Sequence, residues 1–184
     1  MEYFPIIIAG VIVILILTPV FWWISASNNF KRTAIKIGEA LSGIEVALTK
    51  RYDMLTKLLD VAKGFAAHET KLFTQVIELR RGMSVDEINE KNAQIDAMSA
   101  RIFAVAENYP ELRSAEMFKE LQAGIRDAEE HLQAARRLYN SNVTAFNTAV
   151  DVFPSSIVAK SQRLQKHDFF IAEAAKREDV KMSF

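Results

Sequence analysis

Few side chains in this sequence stand at spacings that chemistry requires. His68-Glu69 begins like the helical zinc-protease motif, which places a second histidine four positions after the first; position 72 is Leu72. His131 and His167 have no ligand-like neighbours in sequence, so His68 and Glu69 read instead as residues of a helix start, where a carboxylate complements the dipole. The carboxylates Glu107, Glu111, Glu116, Glu120, Asp127, Glu129 and Glu130 include pairs that could share acid–base work, but runs of this kind on long helices are solvated faces. Arg80-Arg81 and Arg136-Arg137 read as surface or intersubunit charges. There is no glycine-rich phosphate loop and no nucleophile elbow. Cysteine is absent, which removes disulfides, zinc thiolates, thiol nucleophiles and lipoprotein anchoring. Lys and Arg total 23 and Asp and Glu total 23, so no global basic field exists for nucleic acid. The expectation is a protein that is not an enzyme and uses no cofactor, metal or small-molecule substrate.

Arg51 is the polar residue that stands out, because it interrupts a hydrophobic seam. A buried guanidinium without partners is very costly. It therefore requires carboxylate or amide partners, and a polar layer that fixes the register of a bundle is the reading adopted. Asn142, in another seam, belongs to the same layer or faces a second subunit.

The elements that position these residues divide into a membrane segment and a helical domain. Tyr3 to Phe30 contains no charged side chain. Its apolar core, Ile6 to Ile24, approaches the ~20 helical residues that cross a ~30 Å hydrocarbon layer. Trp22 and Trp23 at one end, and Tyr3 and Phe4 at the other, suit the headgroup zone. A cleaved signal peptide fits poorly, despite Ser25-Ala26-Ser27, because the n-region lacks Lys and Arg and the apolar run is too long. A buried soluble helix fits less well still. Lys31, Arg32 and Lys36 follow the segment and can touch anionic lipid. The positive-inside tendency then puts the amino terminus outside and the remainder in the cytoplasm. Residues 1–30 are thus an anchor and 31–184 one cytoplasmic domain.

Helical periodicity dominates the domain, and strand signals are missing. A first arm carries a seam through Ala34, Ile37, Leu41, Ile44, Leu48, Arg51, Leu55, Leu58, Ala62 and Phe65. It turns near Gly64 and His68 or runs on to Arg81. A second arm comprises residues 69–81, with Leu72, Phe73, Val76 and Leu79 on one face. After Gly82 a helix restarts on the Ser84/Glu87 capping box, buries Ile88, Ile95, Met98, Ile102 and Val105, and stops before Pro110. A third helix begins near Ser114 and ends before Pro154, with a seam of Phe118, Leu121, Ile125, Ala128, Leu132, Ala135, Tyr139, Asn142, Phe146, Ala149 and Phe153. Ser155 to Lys176 forms one or two short helices. Short connections favour antiparallel neighbours. The predicted fold is all-α: a single transmembrane helix, then an elongated up-and-down bundle of about four helices. The first arm leaves the membrane, the second returns, the third leaves again, and the tail comes back.

Several motifs in order resemble the LemA family: Arg51-Tyr52-Asp53 with Leu55 and Leu58, Lys63-Gly64-Phe65-Ala66-Ala67-His68-Glu69, and Ala106-Glu107-Asn108-Tyr109-Pro110-Glu111-Leu112. Ala135-Arg136, Tyr139-Asn140, Phe146-Asn147 and Phe153-Pro154-Ser155 with Ala159 continue the match, and Val180 and Phe184 close it. The sequence departs from the family at Thr56-Lys57, where a proline is usual, at Asn142 in place of alanine and at Phe146 in place of tyrosine. The resemblance implies a bacterial inner-membrane protein with a cytoplasmic helical bundle and no catalytic site. Relatives are tied to membrane-compartment formation in magnetosome-forming bacteria, and others to membrane-protease or stress contexts. Periodicity and the resemblance together name Asp53, Glu129 and Asn140 as candidate partners of Arg51. The expected buried polar layer is thus Arg51, Glu129, Asn140 and Asn142.

These readings lead to a membrane-anchored, non-enzymatic scaffold that self-associates and organises or remodels the inner membrane. The alternative is an adaptor or regulator of a membrane protease or stress-response complex. The expected partners are the lipid bilayer, further copies of the chain and another membrane protein.

Overall fold

A computed structural model describes residues 3–65, 77 and 79–170. The described residues form helices and no strand: α1 (Phe4–Phe65), α2 (Val85–Asn108), α3 (Pro110–Ser114), α4 (Glu116–Asp151) and α5 (Ser155–Ser161). This is the expected all-α, bundle-forming class. The apolar segment and the first arm, separate elements in the sequence, are one uninterrupted 62-residue helix. The chain divides into two compact units, Met1–Gly38 with Ser141–His167 and Glu39–Asn140 with Asp168–Phe184; α1 and α4 each contribute to both.

In the first unit, the start of α1 is long and apolar enough to cross a membrane, and none of that stretch is covered by protein. Ile14, Leu15 and Phe21 are each more than 60% exposed. A helix apolar on all sides and bare of protein contacts has the length and composition to cross a hydrocarbon layer. Thr18 sits within the run and returns its hydroxyl to the Ile14 carbonyl at 2.7 Å, so that hydroxyl has a partner within the helix. Further along, Phe30 is buried and meets Phe146 of α4 edge to face, with centroids 5.5 Å apart. Val143, Val158 and Ala159 complete this core. Asn142 Nδ2 donates to the Lys36 carbonyl (3.2 Å) and Gln162 Nε2 to Ser27 Oγ (2.6 Å). The contact of Phe30 with Phe146 and of Lys36 with Asn142 shows that α1 and α4 run antiparallel here.

In the second unit, α1, α2 and α4 enclose a core of Ile44, Leu48, Leu55, Leu58, Ile88, Ile95, Ile102, Phe118 and Leu132, all essentially inaccessible to solvent. Each such side chain contributes roughly 1.5–3 kcal/mol. The capping box at Ser84 forms as expected: Glu87 N donates to Ser84 Oγ (3.2 Å), and Ser84 N to Glu87 Oε2 (2.8 Å). Just before it, Gly82 takes the left-handed backbone its lack of Cβ allows (φ 74°). There Glu45 Oε1 accepts from both Gly82 N (2.8 Å) and Met83 N (3.2 Å).

That tether changes the expected helix order. The start of α2 lies beside Glu45, and the middle of α2 lies beside Arg51, so α2 runs parallel to α1. The second arm was expected to be antiparallel. The return run is α4, whose Gly124 faces Met54 and whose Ala135 faces Gly43. The cause is local. Leu79 and Arg80, just ahead of α2, are not helical, so no helix continues through them into α2. Leu72, Phe73 and Val76 lie outside the described residues, as does the turn expected at His68.

The break at Pro110 falls where expected: α2 stops at Asn108, Tyr109 leaves the helical region (φ −123°, ψ 85°), α3 makes one turn, Ala115 is extended, and the third helix starts at Glu116, near Ser114. At its other end α4 stops at Asp151, which swings Phe153 out of the seam to 75% exposure. The tail forms one seven-residue helix and then a non-helical stretch through Phe170; residues 171–176 lie outside the described part.

Candidate functional site

Arg51 is buried on α1, a turn from both Leu48 and Leu55, at 7% exposure. Its Nη1 donates to Asn92 Oδ1 at 2.9 Å and lies 3.1 Å from Glu129 Oε2, while Nη2 donates to Asp96 Oδ1 at 2.5 Å. Asn92 Nδ2 donates to Asp96 Oδ2 (3.2 Å), and Gln133 Nε2 to Glu129 Oε1 (2.8 Å). Asn92 and Asp96 are four residues apart on α2, as are Glu129 and Gln133 on α4. That spacing puts each pair on one helix face, and both faces converge on the guanidinium. Glu129 Oε2 and Arg51 Nε are buried without a hydrogen bond, so the Glu129 approach is ionic and not directional.

One guanidinium thus meets two carboxylates, each with a third of its side chain exposed. Guanidinium has donors only. The cluster ties three helices together through one cation. Among the described residues no group of three or more His, Cys, Asp or Glu side chains is arranged to hold a metal.

The four residues expected in one layer separate. Arg51 and Glu129 come together. Asn140 and Asn142 stand 11 and 13 residues beyond Glu129 on α4, roughly 16–20 Å along the axis, too far to join. Asn140 instead clamps the backbone of Phe170, donating to its carbonyl and accepting from its N–H, both at 2.9 Å. Tyr139 beside it donates to the Asp168 carbonyl at 3.1 Å. Burial, with Asp168 second, holds the Tyr139 phenol above its ordinary range. Asn142 is half-buried on the Lys36 carbonyl. Asp53, the third candidate partner, faces solvent. His68 and Glu69 lie outside the described residues.

Sequence periodicity missed Asn92 and Asp96, although their four-residue spacing on a helix with a clear apolar face was a usable signal. It also missed Asn147, which holds His167 in the first unit as Asn140 holds Phe170 in the second: His167 N donates to Asn147 Oδ1 and Asn147 Nδ2 to the His167 carbonyl, both at 2.9 Å. Of the anchor residues, Trp22 is half-buried, Trp23 and Ile24 are exposed, and the Ile6 side chain lies outside the described ones. Lys31, Arg32 and Lys36 are exposed.

The second unit also carries an open apolar groove of about 860 Å³ between α1 and α4, with Met54, Val61, Met117, Leu121 and Gly124 as its floor and walls. Lys50, Lys57, Asp60 and Glu120 rim it. At one end Lys50 Nζ reaches Asp127 Oδ2 at 2.5 Å, and this hydrogen bond holds the Asp127 carboxyl below its ordinary range.

The LemA family model matches residues 40–184. Protein LemA of Metamycoplasma hominis is 27% identical over 168 residues, covering 89% of this chain and 77% of that protein. Magnetosome protein MamQ of Magnetospirillum gryphiswaldense is 24% identical over 70 residues, 38% of this chain and 26% of that protein.

Proposed function

The chain belongs to the LemA family, and on that premise we propose that it is a non-enzymatic scaffold held in the bacterial inner membrane by the start of α1. In this reading it associates with further copies of itself and so organises or remodels the membrane. The observation that carries it is the character of the polar cluster: its charges converge from three helices on Arg51 and on one another, a structural arrangement without a reacting group. The likeness to a magnetosome protein over 38% of this chain is in keeping with the membrane-compartment role that the family resemblance implies. The basic flank of Lys31, Arg32 and Lys36 supports an amino terminus outside and the domain in the cytoplasm. A cytoplasm-active reporter at the carboxy terminus is expected to work and a periplasm-active one to fail. Negative-stain images of gently solubilised protein are expected to show multi-copy particles, and uniformly monomeric particles refute the scaffold.

The groove favours a second reading, an adaptor for another membrane protein. Its methionine-rich walls adapt to varied apolar side chains, and its mixed-charge rim suits one face of an amphipathic partner helix. Crosslinking in cells that recovers no heterologous partner at the groove eliminates this alternative.

A further inference from the structure

The first unit contains a second apolar surface besides the start of α1. Where α4 ends and α5 begins, Val152, Phe153 and Ile157 are exposed by 52%, 75% and 48%. The three residues lie within the short stretch where α4 gives way to α5, and each keeps about half or more of its surface exposed. An isolated exposed apolar residue needs no explanation, whereas three in one short junction mark a surface that meets something.

The position of this corner along α1 identifies what it meets. Pro154 and Ser155 face Trp22, Ser25, Ala26 and Asn29 across a hollow of about 280 Å³. Gln162, just past α5, is hydrogen-bonded to Ser27. The corner therefore lies level with the stretch of α1 between Trp22 and Phe30, a rise of roughly 12 Å. If α1 crosses a bilayer, this stretch lies where hydrocarbon gives way to headgroups, because Trp favours that zone and the first charge after it is Lys31.

Charge agrees with that placement. The chain is neutral overall, yet its first unit carries Lys31, Arg32, Lys36, Lys160, Arg163 and Lys166 against Glu2 and Asp151 alone. Lys160 and Arg163 are exposed immediately after Ile157. Exposed apolar side chains followed by basic ones are the pattern of a surface lying in the interface of an anionic leaflet.

We propose that the α4–α5 corner is a second membrane contact, in which Val152, Phe153 and Ile157 insert into the lipid interface beside the α1 span and Lys160 and Arg163 engage anionic headgroups. This rests on the reading that α1 spans the bilayer, and the test separates the two. Since the chain has no cysteine, single spin labels can be placed by Phe153→Cys, Ile157→Cys, Ile14→Cys and Val46→Cys in the full chain, reconstituted in phosphatidylcholine–phosphatidylglycerol vesicles. Collision with oxygen, which concentrates in lipid, and with a nickel chelate, which stays in water, reports depth. Labels at 153 and 157 should collide several-fold less with the chelate than the label at 46, retain high oxygen collision, and lie shallower than the label at 14. Chelate access at 153 and 157 equal to that at 46, with 14 in lipid, overturns the corner and leaves the span standing. Loss of both collision rates at 153 and 157 also overturns it, since that signals cover by another copy of the chain. An aqueous label at 14 overturns the span, and the corner with it.

Discussion

Replacing Arg51 with alanine is the sharpest test of the polar cluster. The substitution removes the donor to Asn92 Oδ1, and Asn92 is only 2% exposed, so a buried acceptor is orphaned at about 1–3 kcal/mol. It also deletes two methylenes of the arginine stem between Leu48 and Leu55, at about 0.8 kcal/mol each. Breaking a fully buried ion pair costs about 3–5 kcal/mol, but Asp96 and Glu129 are each 33% exposed and regain water, which lowers that part. The total is about 3 kcal/mol. For a chain of this size that shifts Tm by roughly 6–12 °C, measurable by circular dichroism at 222 nm on the full chain in detergent. Arg51→Met keeps most of the stem and should lose about half as much. Because Asp96 accepts a directional bond and Glu129 does not, Asp96→Ala should cost more than Glu129→Ala. A shift under 2 °C for Arg51→Ala, or an Arg51→Met variant as unstable as the alanine one, refutes the register-lock account.

Other perturbations follow from the same geometry. Glu87 is held below its ordinary carboxyl value of 4.5 by the Ser84 backbone N–H and by Arg80. Its contribution is therefore complete above that value and lost as pH falls through the lowered one, so the stability gap between wild type and Glu87→Gln in pH-dependent melts should close on acidification. Gly124→Ala should stabilise by up to about 1 kcal/mol through helix propensity. The added Cβ meets only the flexible end of Met54, Sδ at 3.3 Å, and a lower Tm contradicts this. Asn140→Ala removes both bonds to Phe170, about 1 kcal/mol each. It should speed protease cleavage near residue 170, while Asn147→Ala should do so near residue 167.

The fold class was legible because apolar residues recur at helical spacing and Gly82, Pro110 and Pro154 mark the breaks. The direction of α2 was not. Periodicity tells which face of a helix is buried but not which neighbour covers it, and the deciding contact, Glu45 with the backbone of Gly82 and Met83, links positions 37 and 38 residues apart. Arg51 was conspicuous as a charge in a seam, and Glu129 was found because it lies on the seam's facing helix. Asn92 and Asp96 look in the sequence like ordinary polar residues of an amphipathic helix. The asparagine clamps on Phe170 and His167 were hidden for another reason: their partners are backbone groups, which carry no sequence signature. Phe153 looked like the last residue of an apolar seam until Pro154 ended the helix ahead of it.

A membrane-anchored scaffold must exist in more than one copy where it acts. Counting bleaching steps of the fluorescently tagged full chain in nanodiscs cut directly from the native membrane reports that number without detergent. Several steps per disc are expected; a single step in nearly every disc, at native expression level, contradicts the account.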